Sequence, residues 1–345
     1  MLYPVAESFC LSKMSKMIEV DGLTKTYSAA RVVDHVSFAV RDGEVFSLLG
    51  PNGAGKTTTI RMLTTLTATT EGTATVGGHD IRKDPKEVRR IIGVVPQEVT
   101  LDNELKGVEN LLLAAKLQHV PDQDAKKRAM DLLRLVELDG FADKRVGTYS
   151  GGMKRRLQLV AALVHMPRVL FLDEPTVGLD IQTRTKIWDY ITSLNEEQGV
   201  TIFMTTHYLE EADRLSDAVA IMDHGTIRVE GPPEELKESL RGDVLTLTVE
   251  DGGNDLTAFL SSIPGVTEVN RTNESYRLKL PKVEAALPEI ITTVASRGLK
   301  IIETSFSKPT LDQVFLEVTG RSLRDAEEGN NHYDSFASVN ARETR

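Results

Sequence analysis

An almost wholly apolar run, Val45-Phe46-Ser47-Leu48-Leu49, leads straight into Gly50-Pro51-Asn52-Gly53-Ala54-Gly55-Lys56-Thr57. That junction leaves little choice of architecture. Such a run suits a strand buried on both faces of a parallel sheet. The glycines let the backbone curl until its N–H groups converge on one point, which suits phosphate oxygens. A helical pattern then starts at Lys56, so the positive end of that helix points to the same place. The eight residues fit G-x-x-x-x-G-K-[ST] in full. At this spacing Lys56 is expected to reach the β- and γ-phosphates of a nucleotide, and the Thr57 hydroxyl to help hold Mg²⁺.

A second apolar run, Val169-Leu170-Phe171-Leu172, ends in Asp173 and Glu174. A carboxylate at the end of a buried strand needs compensation for its charge, and magnesium at the phosphate loop would supply it. On this reading Asp173 faces the metal and Glu174 can poise a water as general base. By themselves the two residues read equally well as solvated carboxylates opening a loop.

Further strand candidates are Ile18–Asp21, Val32–Val40, Glu44–Leu49, Gly72–Val76, Ile92–Val95, Thr201–Thr205 and Ala218–Met222. Their alternation with helical patterns predicts an α/β core. Between Gln97 and Ser150 the pattern is helical, with apolar residues at helical spacing in Gly107–His119 and Asp124–Glu137. A helical subdomain inserted at about residues 98–165 is the expectation. Past Gly231-Pro232-Pro233 and one short helix, the patterns run β-α-β-β-α-β from 243 to 304, the ferredoxin-like order. A short helix, Leu311–Thr319, follows. The expected organisation is an N-terminal extension over 1–16, an ATPase domain over 17–240, a small α+β accessory domain over 241–320, and a disordered polar tail over 321–345.

Between the two apolar runs stands Tyr149-Ser150-Gly151-Gly152-Met153-Lys154-Arg155-Arg156. It resembles the signature of ATP-binding cassette (ABC) ATPases. The series of phosphate loop, Gln97, Ser-Gly-Gly, acidic strand, Gly178-Leu179-Asp180 and His207 is the order of that family, over about residues 17–240. The resemblance implies a phosphate-loop ABC ATPase core with a mixed sheet and ATP with Mg²⁺ as its cofactors. It implies that Tyr27 stacks on adenine and that Gly50 through Thr57, with Thr58, bind the phosphates. Gln97 would contact Mg²⁺ and the attacking water, joining Thr57 and Asp173 as metal residues. His207 would contact the γ-phosphate, so that Glu174, His207 and Gln97 form the catalytic set. Ser150, Gly151 and Gly152 would bind the γ-phosphate of ATP held by a second subunit, and Asp180 would couple the two ATP sites. Ser150 and Asp180 also read simply as helix N-caps.

The signature departs from the commonest Leu-Ser-Gly-Gly-Gln. Tyr-Ser-Gly-Gly-Met is similar to the drug-exporter branch of daunorubicin-resistance type, and Pro309 through Leu316 resembles a segment that ends many such ATPases. Met153 cannot make the polar contacts of a glutamine, and Ile181 stands where proline is frequent.

Composition narrows the partners. Acidic residues outnumber basic ones by 51 to 41, for a net charge of −10, which argues against a sequence-independent nucleic-acid binder. No apolar run approaches the ~18–20 residues of a membrane span. The single cysteine, Cys10, excludes an internal disulfide and a cysteine zinc site. The N-terminus lacks the continuous apolar core of a signal peptide. Combined with the resemblance, this implies a peripheral subunit at the cytoplasmic face of the cell membrane. It would pair with a second copy and serve a separate transmembrane permease, probing it near Gln97 and the apolar stretch Leu111–Leu117. The expected function is ATP-driven export of drugs or other hydrophobic compounds. The alternatives are a soluble ABC ATPase of translation or DNA repair, for which one phosphate loop and a short interval to the signature are poor fits, and an unrelated phosphate-loop kinase, which has no need of Ser150-Gly151-Gly152.

Overall fold

The computed structural model describes residues 15–28, 30–240, 242–250, 255–272 and 275–323. Of the expected extension over 1–16, residues 1–14 lie outside the described residues, while Ser15 and Lys16 are ordered, Lys16 opening the first strand; of the expected tail over 321–345, residues 324–345 lie outside them, while 321–323 are ordered, with Leu323 buried. The chain forms two compact units, the first reaching Pro232 and the second spanning Pro233–Ser322.

In the first unit, strands β1 (Lys16–Tyr27), β2 (Ala30–Arg41), β4 (Glu71–Val76) and β5 (His79–Asp80) make an antiparallel sheet in the order β2-β1-β4-β5. The larger sheet contains β3 (Val45–Leu49), β6 (Ile92–Val95), β7 (Val169–Asp173), β8 (Thr201–Thr206), β9 (Ala218–Asp223) and β10 (Thr226–Gly231). Its order is β10-β9-β3-β8-β7-β6, all parallel except for the β9–β10 pair. It is therefore mixed, as expected.

Every residue of β3, β7 and β8 is buried. Side chains alternate across a strand, so these three strands feed two separate cores. Phe46, Leu48, Phe171 and Phe203 point to one, where Phe38 of β2 stacks on Phe46 with ring centroids 5.1 Å apart. Val45, Leu170, Leu172, Ile202 and Met204 point to the other. That second core is completed by Leu157 of α5 (Gly151–Ala161) and by Ile187 and Ile191 of α6 (Ile181–Gln198).

The remaining helices of this unit are α1 (Lys56–Leu63), α2 (Pro85–Ile91), α3 (Gly107–Leu117), α4 (Asp122–Leu135) and α7 (Leu209–Leu215). Leu111 of α3 and Leu133 of α4 share the second core, which ties the helical segment to the sheet. Between Gln97 and Ser150 the described residues form no strand, only an isolated bridge between Lys106 and Arg145.

Three strands differ from expectation, one of them the two-residue β5, which was not expected. The first strand runs on to Tyr27 rather than ending near Asp21, because a bulge at Gly22, whose φ is +58°, breaks the alternation without ending the pairing. Strand β10 was not expected; it lies at the sheet edge with most side chains half-buried, so its sequence carries little contrast.

The second unit runs α8 (Pro233–Glu238), β11 (Asp243–Glu250), α9 (Thr257–Ser261), β12 (Glu268–Thr272), β13 (Ser275–Leu280), α10 (Val283–Ser296), β14 (Lys300–Ser307) and α11 (Leu311–Thr319). The strands pair antiparallel in the order β12-β13-β11-β14, the ferredoxin-like arrangement. Leu245, Leu247 and Val249 alternate inward onto Leu260, Ile290 and Val294. Helix α11 buries Leu311, Val314 and Phe315 and is capped by the reciprocal Thr310–Gln313 pair. Among the described residues no helix is long and apolar enough to cross a membrane.

Candidate active site

Strand β3 delivers the chain into the glycine loop, and the space around that loop explains its composition. A Cβ on Gly50 would stand 2.2 Å from the Met222 carbonyl oxygen on β9. Gly53 and Gly55 hold φ of +79° and +107°, and a Cβ on Gly55 would meet the Val32 carbonyl oxygen at 2.7 Å. Only glycine meets these two demands of left-handed backbone and close approach. Ala54 is buried behind the loop.

Helix α1 starts at Lys56, so the first amides of the helix lack intrahelical acceptors and face the loop. The buried Lys56 ammonium donates to the Gly50 carbonyl at 2.7 Å and the Pro51 carbonyl at 3.0 Å, and lies 3.3 Å from Glu174 Oε1. Asn52, Gly53, Gly55, Lys56, Thr57, Thr58, Gln97, Glu174, Val177 and His207 line one cavity of about 420 Å³. Four sequence-distant segments thus meet where the phosphate loop opens.

Asp173 ends β7. Its Oδ1 accepts from the Thr57 hydroxyl at 3.1 Å and from the Thr205 hydroxyl of β8 at 2.6 Å. Glu174 follows with a φ of +48°, in the left-handed region that non-glycine residues avoid at a cost of about 1–2 kcal/mol. The turn is held by the Glu174 amide, which donates to Thr205. It aims the carboxylate into the cavity, where Gln97 Nε2 donates to Oε2 at 3.4 Å and His207 Nδ1 lies 3.3 Å from the same oxygen. Burial pushes the Glu174 carboxyl up; the contact with His207 and the charge of Lys56 outweigh it and hold the group below its ordinary value. The carboxylate is therefore ionised at neutral pH, as a general base must be.

A residue that sequence reasoning missed holds this arrangement together. The buried Arg155 of α5 donates to the carbonyls of Pro96, Gln97, Asp173, Glu174 and Pro175, and to Gln158 Oε1. One guanidinium fork binds both the Gln97 segment and the turn of Glu174 to the signature helix. Burial lowers its pKa to about 10, so it stays charged at pH 7. Its partners are backbone carbonyls far away in sequence, and no side-chain spacing announces them.

Tyr27, Ser150, Gly151, Gly152 and Asp180 are not among the cavity's lining residues. Tyr27 ends β1 with 43 % of its surface exposed and the Lys25 ammonium 4.8 Å above its ring. Ser150 caps α5 by accepting from the Met153 amide at 3.3 Å, and Gly151 is exposed beside it with open space around its Cα. Asp180 caps α6: Oδ1 accepts from the Thr183 amide at 3.0 Å and Oδ2 from the Thr183 hydroxyl at 2.7 Å, bonds that keep its carboxyl below its ordinary value. The two capped helix starts also touch. A Cβ on Gly152 would lie 2.7 Å from Thr183 Cγ2.

Comparison with known proteins gives concordant results. Residues 33–177 match the ABC transporter family, and residues 231–319 match the C-terminal domain of ATP-binding proteins of the DrrA1-3 type. The chain is 42% identical to the daunorubicin/doxorubicin resistance ATP-binding protein DrrA of Streptomyces peucetius, over 90% of this chain and 94% of that protein. It is 38% identical to the linearmycin resistance ATP-binding protein LnrL of Bacillus subtilis (strain 168), over 90% of this chain and 100% of LnrL. Among solved structures, the dimeric post-hydrolysis state of the ATP-binding cassette MJ0796 bound to ADP and Pi superposes with a TM-score of 0.58 at 28% identity, covering 63% of this chain and 98% of that one. CbiO1 of Clostridium perfringens, part of the transporter complex cbiONQ, superposes with a TM-score of 0.60 at 27% identity, covering 64% of this chain and 90% of its own.

Proposed function

Since the chain belongs to the ABC transporter family and is the ATPase subunit of an exporter, we propose that it pairs with a second copy of itself around two ATP–Mg²⁺ and drives the efflux of a drug-like hydrophobic compound through a separate permease. The observation that carries this reading is the convergence of Lys56, Gln97, Glu174 and His207 on the mouth of the phosphate loop. The Lys56 ammonium and the α1 amides bind the phosphates. The Glu174 carboxylate accepts the proton of an attacking water that Gln97 orients. His207, which lines the same cavity, holds the γ-phosphate. Tyr27, exposed at the end of β1, offers its ring to the adenine.

The metal fits the donors present. The Thr57 hydroxyl, the Asp173 carboxylate and the amide oxygen of Gln97 are oxygen donors suited to a hard cation, and the Thr57 and Asp173 oxygens already stand 3.1 Å apart. Mg²⁺ held there would neutralise charge on the β- and γ-phosphates. The Ser150 hydroxyl and the exposed first amides of α5 are free of the chain's own cavity, which suits them to the γ-phosphate of the partner's ATP.

The permease docks, on this reading, at an apolar groove of about 330 Å³ whose lining includes Leu66, Val94, Leu101, Leu117, Ala162 and His165. In the stretch Leu111–Leu117, Leu111 and Ala115 are buried and Leu113 and Leu117 are exposed; Leu117 and the exposed Leu66 line the groove. Two of its lining residues, Val94 and Thr100, each lie three residues from Gln97, on either side of it. The relatives are resistance and export subunits, which supports export over translation or DNA repair. The subunit then works at the cytoplasmic face of the membrane. Affinity purification of the tagged chain from solubilised membranes tests the reading: a polytopic partner whose presence stimulates ATP hydrolysis is expected, and recovery of ribosomes or DNA in its place would overturn it.

A further inference from the structure

Glu211, in the first turn of α7, has none of its surface exposed. Its Oε1 accepts from the Thr176 hydroxyl at 2.8 Å and from the Trp188 indole N–H at 2.9 Å. Its Oε2 is buried with no hydrogen-bond partner among the described residues. Three segments meet on this one carboxyl group. Thr176 lies in the turn between Glu174 and Asp180. Trp188 lies on α6, the helix that Asp180 caps. Glu211 itself follows His207 by four residues. Two cation–ring contacts reinforce the junction, Arg184 over Tyr208 at 4.3 Å and Arg214 over Trp188 at 5.1 Å.

Stability alone is a poor reason for a carboxyl here. Taking it out of water is costly, and a half-satisfied buried polar group is worse than a packed apolar one. What the group does supply is a rigid link between the His207 segment and the 174–180 turn, added to the strand pairing that ends at Asp173 and Thr205 and to the His207–Glu174 contact. We propose that Glu211 is a positioning residue that locks these two segments together, so that a γ-phosphate engaged by His207 moves the turn carrying Asp180 and thereby reaches the second subunit. This rests on the roles proposed above for His207 and Asp180.

The chain's single tryptophan is Trp188, so its emission reads the junction directly. The experiment follows Trp188 fluorescence in the full chain carrying Glu174→Gln while ATP–Mg²⁺ is titrated, with ATP binding measured in parallel by equilibrium dialysis. ATP is expected to change the emission. In the double variants that add Thr176→Val or Glu211→Ala, that change is lost while ATP affinity stays within about threefold. In the single variants Thr176→Val and Glu211→Ala, kcat falls about tenfold with KM within about threefold. An ATP-induced emission change that survives Thr176→Val at full amplitude, or an unchanged kcat in that variant, overturns the proposal. So does bound ATP that leaves Trp188 unchanged. Thr176→Val exchanges one hydroxyl for a methyl and carries the test if Glu211→Ala does not fold. Failure of the Glu174→Gln chain to bind ATP at all is a different result, and it removes the reading of the site itself.

Discussion

Lys56 Nζ and Glu174 Oε1 stand 3.3 Å apart with both side chains almost wholly buried. Each neutralises the other at the mouth of the phosphate loop. On the proposed reading, a phosphate that takes the ammonium would leave the carboxylate facing Gln97 and His207, which would couple nucleotide binding to the arming of the base. Breaking the pair from either side has separable consequences.

Lys56→Ala removes the cation and strands Glu174 in a buried site. Loss of one partner of a buried pair costs about 3–5 kcal/mol, so the melting temperature falls, and tight ATP binding disappears. Calorimetry of ATP binding beside a thermal melt checks both; unchanged affinity would remove Lys56 from the phosphate site.

Glu174→Gln keeps the size of the side chain and its place against Gln97 but not its basicity. Turnover is expected to fall by about 10²–10⁴ while ATP still binds. ATP then accumulates a closed dimer, visible as a doubling of mass in analytical ultracentrifugation. Near-normal hydrolysis in this variant excludes Glu174 as the base.

Ser150→Ala deletes the cap on the Met153 amide, a loss of about 1 kcal/mol to the start of α5. Because Ser150 does not line its own chain's cavity, the affinity of a single chain for ATP is expected to stay the same. Hydrolysis and ATP-driven dimerisation fall together. Weakened ATP binding by the monomer would place Ser150 in the wrong site.

Leu117→Arg puts a charge on a side chain that is 71 % exposed at the groove. Folding and basal hydrolysis are expected to persist, and co-sedimentation with permease-containing membranes to drop. Undiminished co-sedimentation moves the docking surface elsewhere.

Glu211 supplies a pH test. Burial pushes its carboxyl above the ordinary 4.5, against the neighbouring Thr206 side chain, the Trp188 and Thr176 donors and the Arg184 charge; Arg155 faces it as well. The folded chain therefore keeps this proton to a higher pH than the unfolded one. Stability is lost as pH rises from about 4.5 to the raised value. Glu211→Gln is neutral throughout, so its melting temperature relative to the parent should climb across that interval. A constant difference between about pH 4 and about pH 8 rules out the titration.

Elements whose signal is contiguous were legible from residues alone. The runs 45–49 and 169–172 are buried on both faces, so they are apolar apart from Ser47, whose hydroxyl is bonded to Ser216, and the loop after the first must be glycine-rich to curl. The ferredoxin-like order was readable because Leu245, Leu247 and Val249 face a core while their neighbours do not. Legibility ended where contacts depend on tertiary approach. Arg155 reads as one more cation in a basic signature helix, yet it gathers carbonyls from 18 to 59 residues away in sequence. Glu211 reads as a solvated helix acid until Trp188 and Thr176 close over it. The reach of β1 was hidden by the bulge at Gly22, where pairing continues although the alternation stops.

The narrow gap between Gly152 and Thr183 has a meaning for inheritance. A Cβ at position 152 would stand 2.7 Å from the Thr183 methyl group and 3.1 Å from its hydroxyl oxygen; a serine at 183 discards the methyl and keeps the hydroxyl that binds Asp180. The two positions, thirty-one residues apart by subtraction of their numbers, form one mutational unit. A change at either position is therefore felt at the other, and the two are expected to vary together.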